Sequence, residues 1–165
     1  MPRTVNHPTD KLRTMHIRQY EEADRSAVLA LAPRLTEGVA PWRPPSGVLA
    51  AVTGWVADAL HHAGEPDRFV FVAEDGGDIA GFVSGEQRAH WSGDRELYVG
   101  ELVVSPQHEG RGVGRALMDA VTDHARQQGL VTITLDTGAA NTNARTFYSH
   151  LGFAEEDVKL TKTLS

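Results

Sequence analysis

The sequence predicts a single α/β domain whose central sheet is mixed and mostly antiparallel. Two strand-like runs flank a turn at residues 75–78, a pattern typical of an antiparallel hairpin. Later, a strand at 96–104, a glycine-rich loop, an amphipathic helix and a strand at 131–136 follow one another, which is the order of a crossover. The chain has 165 residues, 41% of them hydrophobic, which is enough for one core.

The first half of the chain alternates between extended and helical patterns. Residues 16–20 predict a short first strand, and the acidic residues after it begin a helix that runs to about residue 35. Three prolines make a loop of residues 41–45, and apolar residues at helical spacing predict a second helix over 48–62. The two hairpin strands then cover 68–74 and 79–86.

The second half contains the crossover and the end of the domain. An apolar stripe predicts a helix over 113–128, which Gly129 ends; its members are Val113, Leu117, Val121 and Ala125. A short helix at 144–150 and a last strand at 153–164 follow the crossover. Residues 1–14 are polar and contain two prolines, so we expect a flexible tail ahead of a domain over 15–165.

Composition and charge narrow the possible functions. The absence of cysteine rules out disulfides, thiolate metal sites and a cysteine nucleophile. The net charge of -6 argues against a general nucleic-acid binder. No apolar run is long enough for a membrane span, and residues 1–14 lack the apolar stretch of a signal peptide. The histidines are scattered, so we expect no metal site. From the charge and the lack of long apolar runs we expect a cytoplasmic protein with no nucleic-acid or membrane partner.

The glycine-rich run at residues 109–114 is the most informative local feature. It lies between a predicted strand and a predicted helix, and a helix N-terminus attracts anions. Glycines allow a phosphate to approach the backbone closely, although the run could also be a simple turn. It is not a Walker loop, because Arg115 and Ala116 stand where that loop has Lys and Ser or Thr. Its glycine spacing and late position also fit a dinucleotide fingerprint poorly.

Two motifs in the second half resemble those of one enzyme family. Residues 103–117 read Val-Val-Ser-Pro-Gln-His-Glu-Gly-Arg-Gly-Val-Gly-Arg-Ala-Leu, which resembles the central motif of the GCN5-related N-acetyltransferases. The C-terminal motif of that family is similar to Asn141-x-x-Ala144-x-x-Phe147-Tyr148-x-x-x-Gly152-Phe153. The resemblance implies a sheet that splays at the cofactor. It also implies transfer of an acetyl group from acetyl-CoA to a primary amine, by direct attack in a ternary complex.

The same resemblance leaves several questions open. The acceptor is expected to be a small-molecule or peptide amine, and a homodimer is allowed. One departure from the family motif is Glu109, where the family usually has Gln or Arg. Glu109 could point to solvent, with Arg111 and Arg115 offsetting its charge. It favours an alternative, a non-catalytic acyl-CoA-binding module of the same fold; a nucleotide-binding domain is a third hypothesis.

The resemblance assigns cofactor contacts to three parts of the chain. Backbone groups of the strand before the loop would bind the pantetheine arm, and those of the loop would bind the pyrophosphate. Asn141 would bond the arm through its amide, or would instead cap the helix that follows. The expected cofactor-binding residues are Leu102, Val103, Val104, Glu109, Gly110, Arg111, Gly112, Val113, Gly114, Arg115, Asn141, Ala144 and Tyr148.

Two residues are candidates for the chemistry. Tyr148 would protonate the leaving thiolate, although it could instead be a packed aromatic residue. Glu101 would be the general base, and a water chain is an equal alternative. Regular alternation along the strand predicts that Glu101 points away from the face shared by Tyr98 and Leu102. Trp42 and Trp55 are candidates for lining the acceptor pocket.

Overall fold

The computed structural model describes residues 15–164, so the tail predicted for residues 1–14 lies outside the described residues. In the described part of the chain, five strands form one sheet in the order β1 to β5. Neighbours from β1 to β4 are antiparallel, and β5 runs parallel to β4, so the predicted mixed sheet is confirmed. The strands are Met15–Gln19 (β1), Arg68–Asp75 (β2), Asp78–Ala89 (β3), Arg95–Val104 (β4) and Ile133–Leu135 (β5).

Within residues 15–164, four α-helices flank the sheet: Arg25–Leu31 (α1), Pro45–His61 (α2), Val113–Gln127 (α3) and Thr142–His150 (α4). A 3-10 helix, Ala32–Thr36, continues α1. Helix α2 begins earlier than predicted because Pro45 occupies its first turn, where a missing N–H costs nothing. None of the helices in residues 15–164 has both the length and the apolarity needed to cross a membrane.

The sheet separates two apolar cores. On one face α1 and α2 pack over a core that contains Val56, Phe82 and Val103. On the other face α3 packs over a core that contains Val83, Leu97 and Leu117. All four residues of the predicted α3 stripe are buried, which confirms the helical spacing found in the sequence.

A β-bulge interrupts β4 at Gly100. Ser84 of β3 pairs with Glu101 and Gly85 pairs with Val99, so Gly100 has no partner in the register. The extra residue shifts the alternation, and Glu101 comes to the α2 face together with Tyr98. The predicted facing of Glu101 is therefore wrong, because strict alternation holds only in a strand without a bulge.

The sheet opens between β4 and β5. These strands pair only where Leu97–Val99 meets Ile133–Leu135, while β4 continues to Val104. Beyond Val99 the edge of β4 that faces β5 carries no ladder within the described sheet, and we call this gap the opening. The predicted splay is confirmed.

The predicted last strand is not formed. Residues 153–164 have no strand assignment, although Val158 and Leu160 have the spacing of one exposed face. Their side chains are 78% and 89% exposed. A strand requires a hydrogen-bonded partner, and in residues 15–164 no neighbouring strand pairs with this segment.

Candidate active site

The glycine-rich loop begins α3 in the geometry expected for an anion site. Gly110 and Gly112 have φ angles of 70° and 81°, in the left-handed region that favours glycine. The first backbone bond of the helix runs from the Ala116 N–H to the Gly112 carbonyl, at 3.0 Å. The N–H groups of residues 113–115 therefore have no acceptor within the helix, and they lie at the positive end of its dipole.

Gly114 has a different function from the other two glycines. A Cβ atom at this position would lie 3.2 Å from Cζ of Phe147, so the absence of a side chain lets α3 and α4 pack closely. Phe147 belongs to the second motif, and the two motifs therefore meet in space.

The carboxylate of Glu109 contacts the guanidinium of Arg34, which lies in the 3-10 helix. Arg34 also lies 3.4 Å from Glu37, so it links two carboxylates. Glu109 is held to the flank of the loop by this ion pair. The sequence suggested Arg111 and Arg115 as its compensating charges, whereas Arg34 is the cation that contacts it.

Arg111 is tied to the end of β2. Its guanidinium lies 3.1 Å from Oδ2 of Asp75, the last residue of β2. Nε2 of His108 lies 3.3 Å from the same oxygen, and Nδ1 of His108 lies 2.6 Å from the Ser105 hydroxyl. Asp75 was not singled out in the sequence, because no local pattern shows which distant residue meets a loop.

The remaining predicted cofactor residues lie around the loop and the opening. Leu102 and Val104 lie on the α3 face of β4, and Val103 is buried on the α2 face. Val113 is buried, so its backbone alone is available to a ligand. Arg115 is exposed in the first turn of α3.

Asn141 caps α4. Its Oδ1 accepts a hydrogen bond of 3.1 Å from the Ala144 N–H, as an N-cap residue does. Its Nδ2 is 3.5 Å from the Glu37 carbonyl, and a Cβ on Gly38 would lie 2.3 Å from the Asn141 Cβ. The segment after the 3-10 helix therefore packs closely on the residues that begin α4. The side-chain oxygen caps the helix, and one amide N–H is directed to Glu37, which leaves the second amide N–H as a donor for a ligand.

Tyr148 packs edge-on against Phe147 and Phe153, with ring centroids 5.1 and 5.5 Å away. Burial raises the pKa of its hydroxyl to about 12. The hydroxyl therefore stays protonated at neutral pH, as a proton donor must. The aromatic packing that the sequence left as an alternative is present together with this property.

Glu101 is partly buried and bonded to a cross-strand neighbour. The Ser84 hydroxyl donates a hydrogen bond of 2.5 Å to Oε2 of Glu101. Burial raises the pKa of the Glu101 carboxyl, the Ser84 bond opposes that change, and the negative charge of Asp58 adds to it. A carboxylate with a raised pKa is a stronger base than an exposed one. Ser84 was not predicted as a site residue.

A cavity of about 180 Å³ lies between α2 and the bulge. Glu101 and Tyr98 line it from the sheet, and Trp55 and Asp58 line it from α2. Trp55 is 58% exposed, which leaves one side of the indole accessible. The predicted pocket residue Trp55 lines this cavity, whereas Trp42 does not.

Two charged residues support Tyr98 in this cavity. The Tyr98 hydroxyl donates a 3.0 Å hydrogen bond to Asp136, just past β5. The Arg88 guanidinium lies 3.6 Å from the ring centroid, a cation–π contact. Burial raises the pKa of Tyr98 to about 12, and the charge of Asp136 acts in the same direction. The bond also links β4 to the end of β5 where the sheet opens.

Comparison with known proteins agrees with this architecture. The acetyltransferase (GNAT) family profile matches residues 36–153. N-acetyltransferase 8 of Rattus norvegicus is 39% identical over 84 residues, which cover 50% of this chain and 38% of that protein. Streptothricin acetyltransferase of Streptomyces lavendulae is 37% identical over 86 residues, 52% of this chain and 43% of that protein.

A solved structure shows the same fold over nearly the whole chain. PaiA N-acetyltransferase from Thermoplasma acidophilum, in complex with coenzyme A, superposes with a TM-score of 0.75 and 15% identity over 88% of this chain and 93% of that one. The chain spans less than half the length of the two sequence relatives it matches. The chain belongs to the acetyltransferase (GNAT) family, as the two motifs predicted.

Proposed function

We propose that this protein is an N-acetyltransferase that moves an acetyl group from acetyl-CoA to a primary amine. The observation that carries the proposal is the position of the anion-binding helix start directly after β4, the strand whose edge is exposed at the opening. A diphosphate at the loop would leave the rest of an extended cofactor beside that edge. We place the activity in a single cytoplasmic domain over residues 15–165.

The described residues fit such a cofactor. Left-handed Gly110 and Gly112 carry no side chain that would block a phosphate, and the unpaired N–H groups at the start of α3 supply donors. The free backbone edge of residues 102–104 can bond an amide-containing arm as a neighbouring strand would. Bound acetyl-CoA would supply the activated acetyl thioester. The ion pair of Glu109 with Arg34 removes the main objection to diphosphate binding, since its carboxylate is compensated.

The acceptor would enter from the α2 face. The cavity is large enough for the amine-bearing end of a molecule, and its carboxylates favour a cation. Glu86 is paired with Arg68 at 3.1 Å, and Asp58 lies 3.4 Å from Nε2 of His62. Glu101 is therefore the lining carboxylate without a cationic side chain in contact within the described residues. Small-molecule and peptide amines both meet these requirements.

The amine must lose a proton before it attacks. An alkyl amine has a pKa near 10.4, so roughly one molecule in 2,500 is neutral at pH 7. Glu101 would accept this proton, directly or through a water chain, and its raised pKa suits it to the task. Tyr148 would then protonate the departing thiolate from its hydroxyl.

Thiol release from acetyl-CoA, measured with a panel of diamines, amino sugars and lysine peptides, tests the proposal. At least one amine is expected to give amine-dependent release. Tyr148→Phe is expected to lower kcat on the order of 100-fold with the same Tm, because the phenyl ring keeps the packing. The matched control is Tyr20→Phe, since the Tyr20 hydroxyl bonds Glu22 away from the site. This variant is expected to keep the wild-type kcat.

Two outcomes would contradict this assignment. If Tyr148→Phe matched Tyr20→Phe, Tyr148 would not be the acid. If coenzyme A bound and no amine in the panel produced thiol, the alternative of a non-catalytic acyl-CoA-binding module would be favoured.

A further inference from the structure

We propose that Asp75 is a positioning residue for the anion-binding loop, which it holds through Arg111 and His108. The inference rests on the proposed function, because it concerns how the loop binds the diphosphate of coenzyme A. Asp75 lies outside both sequence motifs, at the end of β2, and no step of the proposed transfer uses it.

The burial of Asp75 is the first observation. The residue is only 2% exposed, although it carries a carboxylate. Neither of its oxygens has a partner in hydrogen-bond geometry within residues 15–164. Two nitrogens are nevertheless close, Arg111 Nη2 at 3.1 Å and His108 Nε2 at 3.3 Å. A buried carboxylate without hydrogen bonds is costly unless a cation lies beside it, so the charge of Asp75 ties Arg111 to this position.

The positions of these partners in the chain show what Asp75 holds. His108 is the last residue before the loop and Arg111 lies within it, so one carboxylate contacts both sides of Gly110. His108 is fixed further by the Ser105 hydroxyl, and the Ser105 N–H bonds the Ala80 carbonyl of β3 at 2.8 Å. The loop is thereby attached to the β2–β3 hairpin, which belongs to the rigid sheet.

A second ion pair holds the loop to a different element. Glu109 is bound by Arg34, so the two charged side chains of the loop are held by different elements, the 3-10 helix and the end of β2. Gly110 lies between them and Gly112 after them, both left-handed, and a Cβ at either position would meet no atom of the described residues within 4 Å. The two ion pairs fix the backbone N–H groups before the ligand arrives, which lowers the entropy cost of binding.

The sign of the effect distinguishes positioning from simple electrostatics. A carboxylate near a diphosphate repels it, so electrostatics alone predicts that removing the charge of Asp75 tightens coenzyme A binding. Positioning predicts the opposite, because the loop loses its attachment. Asp75→Asn is nearly isosteric and keeps the buried volume. Asp78→Asn is the matched control, since Asp78 pairs with Asp75 across the same hairpin and is exposed.

The experiment is a calorimetric titration of coenzyme A into each variant, with Tm recorded alongside. We expect Asp75→Asn to weaken binding about tenfold and Asp78→Asn to change it less than twofold. In turnover with an active amine, Asp75→Asn should raise KM for acetyl-CoA and leave kcat within twofold. Equal or tighter binding by folded Asp75→Asn would overturn the inference. Failure of the wild type to bind coenzyme A would instead overturn the proposed function.

A second pair of variants keeps the inference testable if Asp75→Asn does not fold. Arg111→Gln removes the loop's side of the ion pair, and Arg115→Gln removes an equal charge from the same helix start. Arg111→Gln is expected to weaken binding at least fivefold more than Arg115→Gln. Equal losses would mean that only charge matters, and Asp75 would have no positioning function. Where Asp75→Asn and Arg111→Gln both fold, the double variant should bind coenzyme A about as weakly as Arg111→Gln alone, since the two substitutions break the same contact.

Discussion

The carboxylate of Glu101 reaches the acceptor cavity only because of the bulge at Gly100, and its replacement by glutamine tests that consequence. Glutamine preserves size and can still accept the hydrogen bond from Ser84, so the local structure should persist. The raised pKa of Glu101 means that the folded protein holds its charged form at a cost once the pH exceeds that pKa. The free energy of unfolding of Glu101→Gln at pH 8 should therefore equal or exceed that of the wild type.

The expected loss of activity has two bounds. General base catalysis contributes at least about 100-fold, which sets the smaller value. Without a base only the neutral amine reacts, roughly one molecule in 2,500 at pH 7 for an alkyl amine, which sets the larger value. We expect the loss in kcat/KM of Glu101→Gln at pH 7 to lie between these two values. The deficit should shrink as the pH rises, because each pH unit gives about tenfold more neutral amine.

The assay is kcat/KM from thiol release between pH 6 and 9, with Glu86→Gln as the matched control. Glu86 lines the same cavity but is paired with Arg68, so its variant should lose less than tenfold. A loss of similar size in both variants would show that the cavity needs negative charge and no specific base. A Glu101→Gln enzyme with a wild-type pH profile would refute the assignment in favour of a water chain that does not end at Glu101.

Three further variants test other parts of the structure. Tyr98→Phe breaks the bond to Asp136 and should raise KM for the amine about tenfold with KM for acetyl-CoA unchanged; equal changes in both would contradict its place on the acceptor side. Gly85→Ala would put a Cβ 2.0 Å from the Tyr98 carbonyl oxygen. This substitution should lower the free energy of unfolding by about 3 kcal/mol and the Tm by roughly 10 °C. An unchanged Tm would disprove the close approach. Asp24→Asn breaks a bidentate pair with Arg18, whose bonds of 2.8 and 2.9 Å lower the pKa of Asp24. Its stability contribution is therefore present at neutral pH and lost on acidification. The variant should lose about 3 kcal/mol at pH 7, and this loss should shrink as the pH falls below ~4 and through the lowered pKa of Asp24. A loss independent of pH would contradict the linkage.

Local patterns predicted the order of the elements well. The spacing of Val113, Leu117 and Val121 specifies a helix and its buried face, because both depend on residues close in sequence. The loop could likewise be recognised, since its left-handed glycines and the helix start are adjacent in the chain. The last strand was predicted wrongly because alternation at residues 158–160 specifies an extended chain without specifying a partner.

The details of the site depended on contacts between distant residues. Gly100, a glycine inside a strand, was the available signal for a bulge, and with it the facing of Glu101 could have been predicted. The pairs Arg34–Glu109 and Asp75–Arg111 join segments far apart in sequence, and no local pattern specifies them. The expectations of a homodimer and of no metal stay predictions.

A crystal structure of the protein with acetyl-CoA would show directly whether the loop and the opening bind the cofactor. We predict that the diphosphate lies against the backbone N–H groups of residues 109–114 and that the pantetheine arm runs beside residues 102–104 in the opening. The acetyl group should then face the cavity that Glu101 lines. A diphosphate bound elsewhere, or an arm lying outside the opening between β4 and β5, would contradict the account.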